Sequence, residues 1–256
     1  MTLDAVISAL AIPDTARVDQ RITKKLLTEQ GAPTAADKRA IQDGVNELLW
    51  IAALKPTNIG VPIWKGEAGE YLEIAIITAS LREGAKVARL TELIHRAVPY
   101  PVLLLVADGE TVQLSLAHKR ASQAEKAAVV LDGPLVCATT GSEGDALGAT
   151  FLASLSIARQ PQQHLWALYQ GWIDCCAGLA ASNLTGAFNL PKSPEEAALR
   201  RAALDTHTRV TREIAMLRKK AARETQINRR VELNLAIQRL EAELVAAKAT
   251  LARGQG

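Results

Sequence analysis

From Glu195 to Arg253 the chain runs for 59 residues without a glycine or a proline. No other stretch constrains the fold as much, because those two residues most readily end a helix. The tract opens on a start signal, "SPEEAALRR". Ser193 stands at the N-cap, Pro194 takes the first helical position, and Glu196 completes a capping box. One straight helix of this length would extend about 90 Å. Such a rod can bury an apolar edge only against a partner or by folding back as a hairpin.

Two edges are written into it. Leu233, Ile237, Leu240, Leu244, Ala247 and Leu251 recur at the 4-3-4 spacing of a coiled-coil seam. Val210, Ile214, Leu217 and Ala221 do the same upstream. Neither seam runs into the other: continuing from Ala221 reaches Glu224 and Asn228, and stepping back from Leu233 reaches Arg230 and Gln226. The registers meet inside "RETQINRRVELN", Arg223 to Asn234, which marks a stutter in one helix or a point of separation or fold-back.

Charge shifts at the same place. Residues 200–230 carry eight Arg and two Lys against Asp205, Glu213 and Glu224, whereas residues 231–253 balance. The whole chain is only +3, so the basic character is concentrated in half of one tract. A bland account is available, since Arg and Lys favour helices and solvated faces are usually charged. The functional account is a surface for phosphates or for an acidic partner, formed by Lys219, Lys220, Arg223, Arg229 and Arg230. Aromatic residues that could stack bases are missing from this tract, which argues against single-strand or sequence-specific readout there.

The N-terminal half reads differently. Thr34 caps a helix, Asp37 follows in its first turn, and the spacing of Ile41, Val45, Leu48 and Ala52 carries the helix toward Pro56. "YLEIAIIT" is a short strand, and Val87, Leu90, Ile94 and Ala97 mark a helix stopped by Pro99 and Pro101. "VLLLVA" suits a strand covered on both faces. Asp108-Gly109 signals a hairpin into "TVQLSLA", with Val112, Leu114 and Leu116 inward and Thr111, Gln113 and Ser115 outward. A second hairpin is expected at Asp132-Gly133, and "GSEGDALG" is a linker or turn. "ATFLASLSIA" and "HLWALYQGWIDCCAGLAASNL" are two further helices. The expected fold is thus an α/β (α+β) N-terminal domain with a mixed sheet over residues 1–140. A helical region follows over 141–190, then a coiled-coil tail over 191–256, as a long helix or a helical hairpin.

Motifs for chemistry are sparse. No phosphate loop is present, and three cysteines with four scattered histidines offer no zinc spacing. No catalytic residue, metal ligand or cofactor is expected. A divergent metal-dependent nuclease is the alternative, with Glu70 and Glu73 as ligands and Lys119 as the supporting base, although Ala75 stands where the usual motif has its lysine. His95 and His118 are read as hydrogen-bonded structural residues, and Trp166, Tyr169 and Trp172 as packing. Adjacent Cys175 and Cys176 suit a reducing compartment, and no apolar run approaches the roughly 20 residues of a membrane span. A cytoplasmic location is expected.

Several segments together resemble a bacterial family catalogued as domain of unknown function 4391: "RVDQRITKKLLTEQGAPTAADKRAIQDGV", "AALKPTNIGVP", "YLEIAI", "RLTELIHRAVPYPV", "LSLAHKR", "LYQGWID" and "RETQINRRVELNLAIQRLEAEL". The likeness runs from Arg17 to Leu251. It implies an association with helicases and DNA methyltransferases in restriction-like or phage-defence systems. The combined expectation is a non-catalytic accessory subunit that binds a helicase or methyltransferase, contacts the DNA backbone, or pairs with a second copy of itself. Its contacts would come from the basic face and from the seam Leu233, Ile237, Leu240, Leu244 and Leu251.

Overall fold

The computed structural model describes residues 2–66, 69–109, 111–122, 129–140 and 146–253. They divide into two units, Met1–Cys176 and Ala177–Gly256. The first unit contains α1 (Leu3–Ala9), β1 (Arg17–Arg21), α2 (Lys24–Gln30), α3 (Ala35–Gly44), β2 (Val45–Leu54) and α4 (Pro56–Ile59). It continues with β3 (Trp64–Gly66), β4 (Gly69–Tyr71), β5 (Ile74–Leu81), α5 (Val87–Ala97), β6 (Val102–Asp108), β7 (Thr111–Ala121), β8 (Val129–Thr139) and α6 (Ala146–Ser154). The boundary between the units falls within α7 (Leu165–Thr185). The second unit is completed by α8 (Pro194–Arg223) and α9 (Ile227–Arg253).

Six strands form one mixed sheet in the order β1-β2-β5-β6-β7-β8, with β3 and β4 as a separate two-stranded ribbon. Among the described residues only β5 and β6 run parallel, and α5 makes the crossover between them, as parallel neighbours require. β5 and β6 are nearly all apolar because both faces of the sheet are covered. On one face Ala75, Ile77, Leu104 and Val106 pack with Leu27 of α2, Ile41 of α3 and Leu90, Leu93 and Ile94 of α5. Each such large side chain contributes about 1.5–3 kcal/mol when taken out of water. The alternating residues Ile74, Ile76, Leu103 and Leu105 face the other way and are equally buried.

α3 begins where its cap predicts, the Thr34 hydroxyl accepting the Asp37 N–H at 3.1 Å. It stops at Gly44, however, and the apolar positions assigned to its continuation belong to β2, paired antiparallel with β5 along nearly its whole length. "LLWIAAL" is apolar at both the helical and the strand period, and sheet pairing decides between them. Gly44 also lets α5 come close, since a Cβ there would sit 2.8 Å from Leu90.

The Asp108-Gly109 turn joins β6 to β7, with Gly109 at φ +59°. Ser115 is a correction: it is completely buried rather than outward-facing, because α5 covers that side of β7. The second expected hairpin is also absent. Asp132 and Gly133 lie inside one continuous strand, β8, where Gly133 at φ +87° forms an irregularity opposite Leu116 to His118. An isolated Gly in a strand pattern is as compatible with a bulge as with a turn. The core of the "GSEGDALG" linker, residues 141–145, lies outside the described residues.

In the second unit the long tract is a helical hairpin. α8 ends at Arg223 and α9 restarts at Ile227. Glu224 takes an extended backbone (φ −78°, ψ 125°), and its carboxylate accepts the Gln226 N–H at 2.9 Å. An acidic side chain thus supplies a turn that no glycine announced. Val210 and Ile214 of α8 meet Ile237 of α9, flanked by Leu217, Leu240 and Leu244. Ala203 and Leu251 meet Ala181 of α7 nearer the other end. The two out-of-register seams are therefore the two faces of one antiparallel hairpin, which meet at its turn. Arg209–Glu243 and Arg218–Glu241 (2.7 Å) bridge the helices along its flank.

Candidate functional site

Two regions concentrate polar side chains. The first is the end of the sheet where β2 finishes, β5 begins and β7 finishes. Glu73, with a side chain only 10% exposed, pairs with Lys55 at 3.0 Å. Glu70 pairs with Lys65 across the β3–β4 ribbon at 3.2 Å. Lys119 is buried under α5 and donates to the carbonyls of His95 (2.7 Å) and Val98. Those carbonyls lie at the end of α5, where helical C=O groups have no partner of their own. Burial brings the Lys119 ammonium down to about 7. The Glu70, Glu73 and Lys119 side chains each go to a different partner and do not converge. Among the described residues no three His, Cys, Asp or Glu side chains form a group that could hold a metal ion.

His118 lies on the opposite side of β7 from Lys119. Its Nδ1 is 2.5 Å from the Tyr71 hydroxyl and its Nε2 is 2.8 Å from Gln170 Oε1. Gln170 Nε2 in turn donates to Asp174 at 2.8 Å, which fixes the amide orientation. An amide oxygen only accepts, so Nε2 carries the imidazole proton and Nδ1 accepts from the phenol. The ring stacks on Trp166 at 5.0 Å and 13°. Trp64 of the ribbon leans on both Trp166 (5.8 Å) and Tyr71 (5.9 Å). The ribbon approaches β7 at Gly69 (φ +145°), where an added Cβ would lie a tight 3.1 Å from the Lys119 carbonyl oxygen.

His95 is fully buried, with Nε2 3.0 Å from Ser115 Oγ, and that hydroxyl also receives the Cys137 thiol at 3.5 Å. Burial, reinforced by the Lys119 charge, lowers His95 to about 3, so the imidazole is neutral at physiological pH. Both histidines are hydrogen-bonded parts of the framework. Tyr169 and Trp172 are core residues: Tyr169 donates to the Val102 carbonyl at 2.7 Å and accepts the Ala117 N–H at 3.0 Å, and Trp172 donates to the Leu155 carbonyl at 2.8 Å. The Tyr71–His118–Gln170–Asp174 chain was not anticipated from the sequence. Its members come from "YLEIAI", "LSLAHKR" and "LYQGWID", and only the folded sheet brings these together.

The second region is the turn of the α8–α9 hairpin. Lys219, Lys220, Arg223, Arg229 and Arg230 are all exposed there. Arg209 and Arg218, by contrast, are tied to glutamates of α9. Among the described residues none of the five forms an ion pair. Lys220 and Arg223 occupy the last turn of α8, where cations complement the helix dipole. Arg229 and Arg230 do the reverse. They stand in the first turn of α9, which has no acidic residue, and add positive charge to a helix end that is already positive. The predicted seam is covered within the chain: Ile237 and Leu251 are buried, and Leu233, Leu240 and Leu244 are half-buried.

Comparison with family models finds a match over residues 10–244 to the family described as Domain of unknown function (DUF4391). The chain belongs to the DUF4391 family. Its match takes in the sheet, the His118 cluster and the whole basic turn, so both polar regions lie within the DUF4391 domain. No curated protein and no solved structure matches the chain. Among the described residues of this DUF4391 protein, no helix is long and apolar enough to cross a membrane.

Proposed function

We propose that this protein is a non-catalytic accessory subunit of a bacterial DNA-processing or phage-defence system, docking a helicase or methyltransferase subunit through the turn of its C-terminal hairpin. The observation that carries this reading is the placement of Arg229 and Arg230 in the first turn of α9. Two cations there work against the helix dipole, in a first turn with no acidic residue. A placement that costs stability and forms no ion pair among the described residues is accounted for by an anionic surface on another molecule. The link to a helicase or methyltransferase comes from the family resemblance. Glu70, Glu73 and Lys119 at the sheet end are each held by a separate partner, which supports a framework role for that region.

The test is co-purification of the full chain with a helicase subunit and a methyltransferase subunit of such a system. The variant Lys219→Glu/Lys220→Glu/Arg229→Glu/Arg230→Glu is expected to lose the partner while remaining helical by circular dichroism. Undiminished co-purification of the variant would remove the reading.

A further inference from the structure

The cations at the hairpin turn do not stand alone. Met216, the chain's only methionine after Met1, is 65% exposed on α8. Ile227, Val231 and Leu235 follow on α9, exposed to 68%, 51% and 50%. Met216, Lys219, Lys220, Arg223 and Glu224 line a shallow depression of about 360 Å³. Their spacing of three and four residues places them on one face of the helix end. Lys and Arg supply the charge of this depression, and a flexible thioether supplies its apolar surface. The one acid, Glu224, is already held by the Gln226 N–H.

We propose that this face takes an acidic protein segment bearing an apolar anchor, which seats against Met216 while its carboxylates meet Lys219, Lys220 and Arg223. The inference rests on the docking reading above and names the chemistry of the partner. A nucleic-acid backbone would use the cations but gain nothing from the exposed Met216 side chain, and the tract has no Phe, Tyr or Trp to stack on a base. Protein interfaces combine an apolar centre with a charged rim, and methionine is favoured where a surface must adapt to its ligand.

Fluorescence anisotropy on the full chain tests this with three labelled probes. They are a glutamate peptide with leucine at every fourth position, a poly-glutamate of equal charge, and a duplex DNA. The leucine-bearing peptide is expected to bind about tenfold more tightly than poly-glutamate, as one seated apolar side chain would give, and more tightly than the duplex. Met216→Ser should reduce it to the poly-glutamate level and Met216→Leu should restore it. Lys219→Glu/Lys220→Glu should abolish binding of both peptides. If poly-glutamate or the duplex binds as well as the leucine peptide, or Met216→Ser changes nothing, the inference falls while a basic docking surface stands. If charge reversal affects none of the probes, both fall.

Discussion

Asp37 and Arg89 form a two-point ion pair, Nε to Oδ1 at 2.8 Å and Nη2 to Oδ2 at 2.9 Å. The pair ties the first turn of α3 to the first turn of α5, the helix that covers the centre of the sheet. Parallel hydrogen bonds of this kind are among the stronger polar contacts in proteins.

The pair predicts an acid-side loss of stability. Hydrogen bonds from Arg89, then from the Thr34 hydroxyl, hold the Asp37 carboxyl at about 2, below its ordinary range. A depressed folded-state value means that the contribution is complete above about pH 4 and fades as pH falls toward 2. Asp37→Asn should be less stable than the parent at pH 7, and the gap should narrow between pH 4 and 2. Urea unfolding across that range reads the difference, and a constant gap would contradict the assignment.

Lys119 predicts a slope on the alkaline side. The unfolded chain keeps its lysine protonated to about 10.4, whereas the buried ammonium begins to release its proton near 7. Between those values the unfolded state binds more protons, so this group makes stability rise with pH. Lys119→Met should flatten the rise between pH 7 and 10 relative to the parent. It should also cost about 1–3 kcal/mol at high pH, because the His95 and Val98 carbonyls lose their donor. Paired thermal melts at several pH values provide the comparison; identical slopes would refute it.

Core and surface positions of the hairpin should separate cleanly. Ile214 is 5% exposed and packs with Val210 and Ile237. Ile214→Ala should destabilise by about 2–4 kcal/mol, as cavity-forming substitutions do. Met216→Ala, two residues away and 65% exposed, should stay within about 0.5 kcal/mol. Chemical denaturation followed by helical circular dichroism measures both. Equal effects would mean that the helices do not pack on this face.

Arg229 and Arg230 should behave as residues kept for a contact rather than for the fold. Replacing either with Glu puts an acid in the first turn of α9 and should stabilise the hairpin by about 0.3–1 kcal/mol. The same change should weaken partner co-purification. A melt that drops together with binding would assign the two arginines to the fold instead.

Much of the architecture was legible because it is local. Ser193 and Pro194 start α8 with the Ser193 hydroxyl accepting the Glu196 N–H at 3.2 Å, and the apolar run of α5 ends just ahead of Pro99 and Pro101. Ser115 and Val45–Leu54 were misread because their state depends on what packs over them. One face of β7 is closed by α5, and one apolar run is claimed as a strand by β5. Asp132-Gly133 shows the same limit, since one dipeptide serves a turn or a bulge according to its neighbours.

By itself the sequence determined that the long tract is helical, that it carries two seams out of step, and that positive charge gathers where they meet. These properties follow from side-chain spacing and composition within a few turns. Tertiary structure alone decided that the seams face each other across a turn made by the Glu224 carboxylate, with five cations at its tip that form no ion pair among the described residues. It alone joined Tyr71, His118, Gln170 and Asp174 into one hydrogen-bonded chain. Such contacts span up to 52 residues of sequence, and no local preference of the chain encodes which distant partner a hydrogen bond will find.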